Sequence, residues 1–483
     1  MVALAQQFDR LSPDSLSCSN LKRPIHVTSA HELYQSLERQ WTRINAVGAM
    51  TSDVEILIIG AGPAGLAAGT CCRDGQRQFV LVESGAQVEQ RDHLYAPRLS
   101  EGVGGSGLYS DGKFSFFPSA TALWRLPDRA AVTGAYSWLK KLLPDFGVIP
   151  PPFPQRMDQD GTTSAVAPNG VLVSKEYPSW YMSLRERERL ARALEANCGS
   201  SLIPNTSVVR VEYDKRTNSF TSYLVTNDST ERARVSSKVV IFAGGRFGPM
   251  QLFTLIPELP KVFRRLEVGV RIQQPAGSFV LQDHPQLDPK LIFRVDSQSE
   301  YRTFCCCRDG EVVTITTANL KTVSGRGDCE VSGLSNIGFN LRIADERLAS
   351  TMWPPLVESL TSASKQLPIV EQWDGFLEDP DGSRVRSSSS IARLFGNQIS
   401  SRLARGLSMY KSAFPMDSTT VELIAPAIEA VAFYPSIDRD LRVSPYPLWV
   451  AGDSTGTFRG LTAAFVSGYY VATQAIKYLD SKR

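Results

Sequence analysis

Apolar and polar positions follow two rhythms along this chain, and each predicts its own elements. Val54 to Glu83 reads as an apolar run, VEILIIG, then a small-residue segment, AGPAGLAAGTCCRDG, then a second apolar run, QFVLVES. That order predicts strand, tight turn, helix and strand. Leu184, Leu190 and Leu194 recur at helical spacing within Met182 to Asn197, predicting a helix that keeps Arg185 to Arg189 on a solvated face. SLIPNTSVVRVEYD and the later FTSYLVTN predict a hairpin, and KVVIFAGGRFG predicts an apolar strand ending in paired glycines. Alternation in LEVGVRI and EVVTITT marks strand-rich chain from Leu266 to about Leu341, followed by a more helical, Ser-rich stretch to about Ile437. PLWVAGD then predicts a strand, and a helix is expected from about Leu461 to Leu479. Upstream, Leu33, Leu37, Trp41 and Ile44 predict an amphipathic helix over Thr28 to Ala46 that packs on the main body. DGSRVRSSSS, Asp381 to Ser390, is expected to be a mobile loop.

Composition narrows the class. The 483 residues, at roughly 150 per domain, imply about three domains' worth of chain. With 42% hydrophobic and 21% charged residues the chain reads as soluble and globular, neither disordered nor an integral membrane protein. The net charge of +3 comes from scattered basic residues, so nucleic acid is not an expected partner. The longest nonpolar stretch, Ile56 to Cys72, is too short and too broken by glycines and Pro63 to span a bilayer. Cys71-Cys72 and Cys305-Cys306-Cys307 are not spaced as a secreted disulfide framework, and no secretory start is seen, so a reducing cytoplasm is the expected location.

Chemistry enters at Gly60-x-Gly62-x-x-Gly65, directly after an apolar strand and at the mouth of a helix, with Glu83 at the end of the next strand. Gly60 permits the sharp turn, Gly62 lets a pyrophosphate approach the backbone, and Gly65 lets helix and strand pack closely. The helix N-terminus then offers unpaired N–H groups and a positive dipole end. Glu83 is placed to accept from the ribose hydroxyls of an ADP moiety. One such fingerprint serves NAD or FAD alike.

The strand and helix of PLWVAGDSTGTFRGLTAAFVSG, the glycines of VVIFAGG, and EGVGGSGLYSDGK at Glu101 to Lys113 together resemble the glutathione-reductase-like FAD superfamily, the two-dinucleotide-domain flavoproteins, over most of the chain. Within it, EGVGGSGLYSDGK, LEVGVRI and FCCCRDGEVV resemble the predicted FAD-dependent dehydrogenase family related to aromatic-ring hydroxylase-like flavoproteins. The resemblance implies an α/β fold: a discontinuous Rossmann-like FAD-binding domain with an inserted mixed β-sheet α+β substrate domain. It implies FAD as cofactor, with Asp453 at the ribityl chain and the following helix N-terminus beside the flavin pyrimidine. The cofactor-binding set expected on that basis is Gly60, Gly62, Pro63, Ala64, Gly65, Glu83, Ser84, Gly104, Gly105, Ser106, Val208, Ala243, Gly244, Gly452, Asp453, Gly460, Leu461 and Thr462. Domain boundaries are expected as residues 1–50, an appendage; 51–115, 181–252 and 430–483, the FAD domain; 116–180, a Pro-rich insertion holding PPPFP; and 253–429, the substrate domain.

Absences shape the reaction class. No second glycine fingerprint follows a strand to bind NAD(P)H, and no Cys-x-x-Cys stands beside the first helix. The expected activity is two-electron, hydride-transferring oxidation of a small organic substrate by noncovalent FAD. Asp111 and Lys113 are candidates to assist proton transfer and Arg271 to anchor a substrate carboxylate. An NAD(P)H-dependent flavin monooxygenase or reductase and a non-catalytic flavin-binding regulator stay as alternatives, and oligomeric state is left open. No metal site is expected: the three adjacent cysteines alternate faces if they lie on a strand, and buried packing is their expected role. His93 is read as structural or exposed, His26, His31 and His284 as surface residues, and GRGD at Gly325 to Asp328 as a loop.

Overall fold

The computed structural model describes residues 51–92, 99–156, 161–167, 170–226, 232–286, 288–294, 298–317, 320–327, 331–379 and 384–483. The expected helix at Thr28 to Ala46, His26, His31, His93, Asp328 and the start of the Asp381 to Ser390 loop lie outside these residues.

Chain order begins with β1 (Thr51–Ile59), α1 (Pro63–Asp74), β2 (Phe79–Val82), the single turn α2 (Gly105–Leu108), β3 (Lys113–Ser115), α3 (Arg129–Leu142), β4 (Thr162–Ala167), β5 (Gly170–Lys175), β6 (Ser179–Tyr181) and α4 (Leu184–Cys198). Next come β7 (Leu202–Ile203), β8 (Thr206–Asp214), β9 (Ser219–Thr226), β10 (Arg232–Phe242), α5 (Gly248–Leu255), β11 (Lys261–Pro275), β12 (Leu291–Arg294), β13 (Ser299–Cys307), β14 (Glu311–Thr317), β15 (Leu320–Arg326) and β16 (Leu334–Ile343). The chain continues through α6 (Glu346–Ser362), β17 (Ile369–Gln372), α7 (Trp373–Phe376), α8 (Ser390–Ala413), β18 (Glu422–Pro435), β19 (Leu448–Val450) and α9 (Leu461–Asp480).

Two sheets organise these elements. The first has the order β7-β2-β1-β10-β9-β8, with β19 also pairing β10. Its β7, β2, β1, β10 and β19 run parallel, and β8 and β9 add an antiparallel hairpin. This is a Rossmann-like arrangement. In it the second half of β1, Ile56 to Ile59, is apolar because both faces are covered there: Ile56 and Ile58 enter the core beneath α1 and α9, while Leu57 enters the opposite core with Val240 and Leu448. The second sheet, β17-β18-β11-β16-β13-β12-β5-β4, is antiparallel at every pair and buries one face against α6 and α8. The fold is thus α/β with an antiparallel sheet-and-helix layer inserted after β10.

Residues 116–180 serve both layers. Val132, Ala135, Tyr136 and Leu139 of α3 join the first core, whereas β4 and β5 extend the second sheet at its β12 edge. PPPFP is packed down: the Tyr136 hydroxyl donates to Pro151 O at 2.7 Å, and the Phe153 ring lies 5.6 Å from that of Tyr136.

Two expectations are corrected. Glu422–Pro435 is a central strand rather than part of a helical stretch. It is buried on both faces, so it shows none of the alternation by which a half-exposed strand is read. Arg187 is 4% exposed rather than on a solvated face, because its guanidinium donates to Leu108 O at 2.7 Å and Met182 O at 2.6 Å, fastening α4 to the glycine-rich segment. Among the described residues no helix is long and apolar enough to cross a membrane.

Candidate functional site

A cavity of about 1000 Å³ opens at the carboxyl ends of the parallel strands and runs to the face of the second sheet, at the upper end of small-molecule sites. One wall is backbone. Gly60 has φ of +98°, and a β carbon there would stand 2.7 Å from Ala243 O of the neighbouring strand end. At Gly65 a β carbon would overlap the Gly60 carbonyl, so α1 and β1 could not pack as closely. Gly62 differs from both. Its nearest neighbour for a β carbon is Gly105 Cα at 3.9 Å, so the space its side chain lacks belongs to the cavity.

Glu83, 6% exposed, closes this end. Its Oε1 accepts from Gly85 N at 2.9 Å, Gly102 N at 3.0 Å and Ser84 Oγ at 3.2 Å. Oε2 accepts from Ala61 N at 2.8 Å. The carboxylate therefore ties three glycine-rich turns together and keeps acceptor capacity on Oε2.

Helix ends distinguish the cavity from the rest of the molecule. Among helices of eight or more described residues, α3, α4, α6 and α8 are capped by the side chains of Asp128, Ser183, Asp345 and Ser389. The remaining three, α1, α5 and α9, have no side-chain cap, and all three begin at the cavity wall, at Gly62, Phe247 and Gly460. In α5 Gly248 N and Met250 N donate to Gly245 O and Phe247 O and Pro249 has no N–H, so it is the first-turn N–H groups of α1 and α9 that are left for whatever occupies the cavity.

The opposite wall is charged. Arg459 Nη1 sits 3.2 Å from Glu267 Oε2 and 2.8 Å from Glu429 Oε2, and its Nε lies 3.5 Å from Asp453 Oδ2. Arg246 reaches Glu429 at 2.6 Å and Asp453 at 3.7 Å. Burial alone would raise the Glu267 carboxyl, but Arg459, Arg265 and Arg342 hold it well below the usual carboxylate range. Lys113 is ion-paired with Asp288. Lys290 is half-buried on the same wall, with no hydrogen bond or ion pair from its amine among the described residues. Burial, reinforced by Arg302 and Arg459, pushes that amine down to about 7. The β14–β15 hairpin roofs the space with Val313, Ile315, Thr317 and Gly325, pinned by the bond of Ser100 Oγ to Thr317 Oγ1 at 2.7 Å.

Most residues singled out from the sequence meet here. Gly60, Gly62, Pro63, Ala64, Glu83, Ser84, Gly105, Ser106, Asp111, Lys113, Val208, Ala243, Gly244, Gly452, Asp453, Gly460 and Leu461 all line the cavity. Gly65, Gly104 and Thr462 do not; Gly104 holds φ of +90° and donates its N–H to Ala61 O, shaping the turn from behind. Arg271 does not reach the cavity either. It is fully buried, bonded to Asn336 Oδ1 and, at 2.7 Å, to Cys305 O, because the β14–β15 hairpin covers that face of β11. A carboxylate in the cavity is therefore out of its reach. Sequence reading missed Lys290, Asp288, Glu267, Glu429 and Arg459, and only the Asp-Pro-Lys turn before an apolar strand hinted at the first two. Among the described residues no cluster of His, Cys, Asp and Glu is arranged to hold a metal ion.

No family model matches this chain, and no curated protein matches it. Among solved structures it is similar to a flavoprotein/dehydrogenase from Cytophaga hutchinsonii, at 11% identity and TM-score 0.39 over 89% of this chain and 79% of that one. A geranylgeranyl bacteriochlorophyll reductase-like protein from Thermoplasma acidophilum gives 10% identity and TM-score 0.40 over 89% and 80%. A flavocytochrome c3 fumarate reductase in its open conformation gives 13% identity and TM-score 0.40 over 97% and 85%. Likenesses this distant leave the chemistry to be read from the cavity itself.

Proposed function

We propose that the cavity holds FAD noncovalently and that the protein is an FAD-dependent oxidoreductase taking two electrons from a small organic substrate. The observation that carries this reading is the coincidence of two uncapped helix starts with the glycine cradle: α1 and α9 both present first-turn N–H groups to one elongated space. The start of α1, with the bare Gly62, suits a pyrophosphate. Glu83 Oε2 has room for one ribose hydroxyl. Asp453 and the start of α9 suit the ribityl and pyrimidine end, where N–H groups stabilise negative charge. Bound flavin would supply the electron-accepting centre; the chain binds, orients and moves the proton.

For that proton the favoured acceptor is Lys290, whose amine has no partner among the described residues and is partly neutral at pH 7. Lys113 is engaged with Asp288, and that pair shapes the same wall. Within the reading, oxidation of an organic donor is preferred over reduction by nicotinamide, since one ADP cradle is present and FAD would fill it.

Purified protein should be yellow and release FAD, not FMN, on denaturation, with acid precipitation leaving the colour in solution. Gly62→Val should lose the flavin while keeping the fold, since the added side chain points into the cavity. A colourless protein that takes up no FAD, or a Gly62→Val variant with full occupancy, would sink the assignment. Fast, saturable anaerobic bleaching by NADH or NADPH would move the protein to the monooxygenase or reductase class.

A further inference from the structure

Cys305, Cys306 and Cys307 do not share one environment. Pairing of β13 with β16 steps from Phe304–Gly338 to Cys307–Asn336, so β13 carries one extra residue there, and Cys305 has φ of +49°. This bulge turns Cys305 onto the cavity wall and brings its sulfur to 3.9 Å from that of buried Cys307. Cys306 points instead into the core of the second sheet, where burial pushes its thiol up to about 11.

Behind the two sulfurs lies Arg271, 0% exposed. Among the described residues it meets no carboxylate. Its hydrogen-bond partners are Asn336 Oδ1, Cys305 O and, at 3.7 Å, Cys307 Sγ, its Nη1 has none, and the guanidinium lies 5.7 Å from the centre of the Phe304 ring. A guanidinium cannot shed its proton, and a buried charge that meets no counter-charge among the described residues is strongly disfavoured. The titratable groups in contact with it are thiols. Glycines make room for the arrangement: a β carbon at Gly325 would strike the Arg271 guanidinium and stand 2.7 Å from Cys307 Sγ.

We propose that Cys305 and Cys307 are a proton-sharing dithiol, its thiolate balanced by Arg271, that exchanges with small-molecule disulfides entering through the cavity. The Cys305 thiolate attacks one sulfur of RS–SR, forming a mixed disulfide and expelling RS⁻. The Cys307 thiol gives its proton to that RS⁻, and its sulfur displaces the second RS⁻ from Cys305. Two electrons pass from the protein sulfurs to the small disulfide, leaving a Cys305–Cys307 disulfide, one RSH and one RS⁻. The charges around the pair agree with this. The hydrogen bond from Cys307 draws Cys305 down to about 7, with Arg271 and Lys113 helping against burial and Asp111, whose Oδ2 lies 4.0 Å away. The same bond pushes Cys307 up, and the Tyr181 phenol is held up chiefly by burial. The dithiol uses no residue of the glycine cradle, and its exchange chemistry does not depend on which ligand that cradle takes.

Oxidised glutathione is added anaerobically to the full chain, which is acid-quenched, alkylated under denaturing conditions and mapped by peptide mass. One label on the peptide spanning the three cysteines, carried by Cys306, is expected, and a stable glutathione adduct on Cys305 is expected in Cys307→Ser. Native-state alkylation of Cys305 should have its midpoint near pH 7, and Arg271→Met should slow it about tenfold at that pH. Asp111→Asn, a loop change that keeps an acceptor for Lys113 N, should move the midpoint down and serves if Arg271→Met does not fold. Three labels at every glutathione ratio, or a midpoint near the ordinary thiol value of about 8.5 that no folded variant shifts, overturns the proposal.

Discussion

Gly60, Gly62, Ala243 and Gly452 meet the cavity with backbone, whereas Glu267, Lys290, Arg302 and Arg342 meet it from across the gap with charged side chains. The parallel sheet offers strand ends and uncapped helix starts, so apart from Glu83 and Asp453 its part of the site is mainly backbone, which a side-chain change other than to proline can obstruct but not remove. The antiparallel sheet offers a face, and there the groups are replaceable one by one. The first wall suits a ligand common to many chemistries, and the second suits what is particular to this protein.

The largest expected effect tests the backbone wall. Gly65→Ala places a methyl against the Gly60 carbonyl and is expected to cost more than about 4 kcal/mol or prevent folding. Gly62→Ala, whose methyl meets nothing closer than 3.9 Å, should stay within about 0.5 kcal/mol of the parent by urea unfolding. Equal losses would mean that the two glycines do not divide into one for packing and one for ligand.

Next comes the charged wall. Arg459→Met leaves Glu267, Glu429 and Asp453 facing one another without their shared cation, and is expected to cost about 3 kcal/mol at pH 7. The Glu267 carboxyl lies below its unfolded value, so its share of the stability is present above about pH 4 and lost as acid protonates it. The deficit of the variant should therefore shrink from pH 7 to pH 3 in thermal melts, and a deficit independent of pH would assign the loss to packing.

The smallest effect concerns Lys290. Its folded value near 7 lies below the unfolded value of about 10.4, so between these the unfolded chain holds the extra proton. Lys290→Met should raise the melting temperature by about 1–2 °C at pH 7 and below, with the gain fading towards pH 10. Turnover should fall in the same variant, and the acid limb of the parent's rate profile near pH 7 should vanish. Unchanged turnover would remove Lys290 as proton acceptor.

The two walls also differ in how far they could be read from sequence. A backbone site needs glycine at fixed offsets from a strand and a helix, so Gly60, Gly62, Gly65 and Glu83 are legible within one short segment. The charged wall depends on register between distant strands. Glu267 stands opposite Arg342 on β16, and Arg342 stands opposite Glu300 on β13, a ladder of alternating sign that no local pattern encodes. Glu429 was hidden further, because β18 is buried on both faces and lacks the alternation that marks a strand. Cys305 escaped because a bulge, not a period, sets where its side chain goes.

The contact between α1 and α9 has a consequence for synthesis. Gly468 of α9 lies so close to the Ala64 carbonyl of α1 that a β carbon there would overlap it, and Ala464 approaches Gly452 from the same helix. The cradle opened by Gly60 is thus finished by residues made some four hundred positions later. At about 5–20 residues per second a ribosome needs roughly 20–80 s to cover that distance. During that time β1 and α1 wait without their covering helix, an apolar strand and a bare glycine turn exposed to any chaperone or protease nearby. Chains arrested before residue 461 should be cut readily near α1, while full-length chains resist, making the arrival of α9 the event that seals β1 and α1.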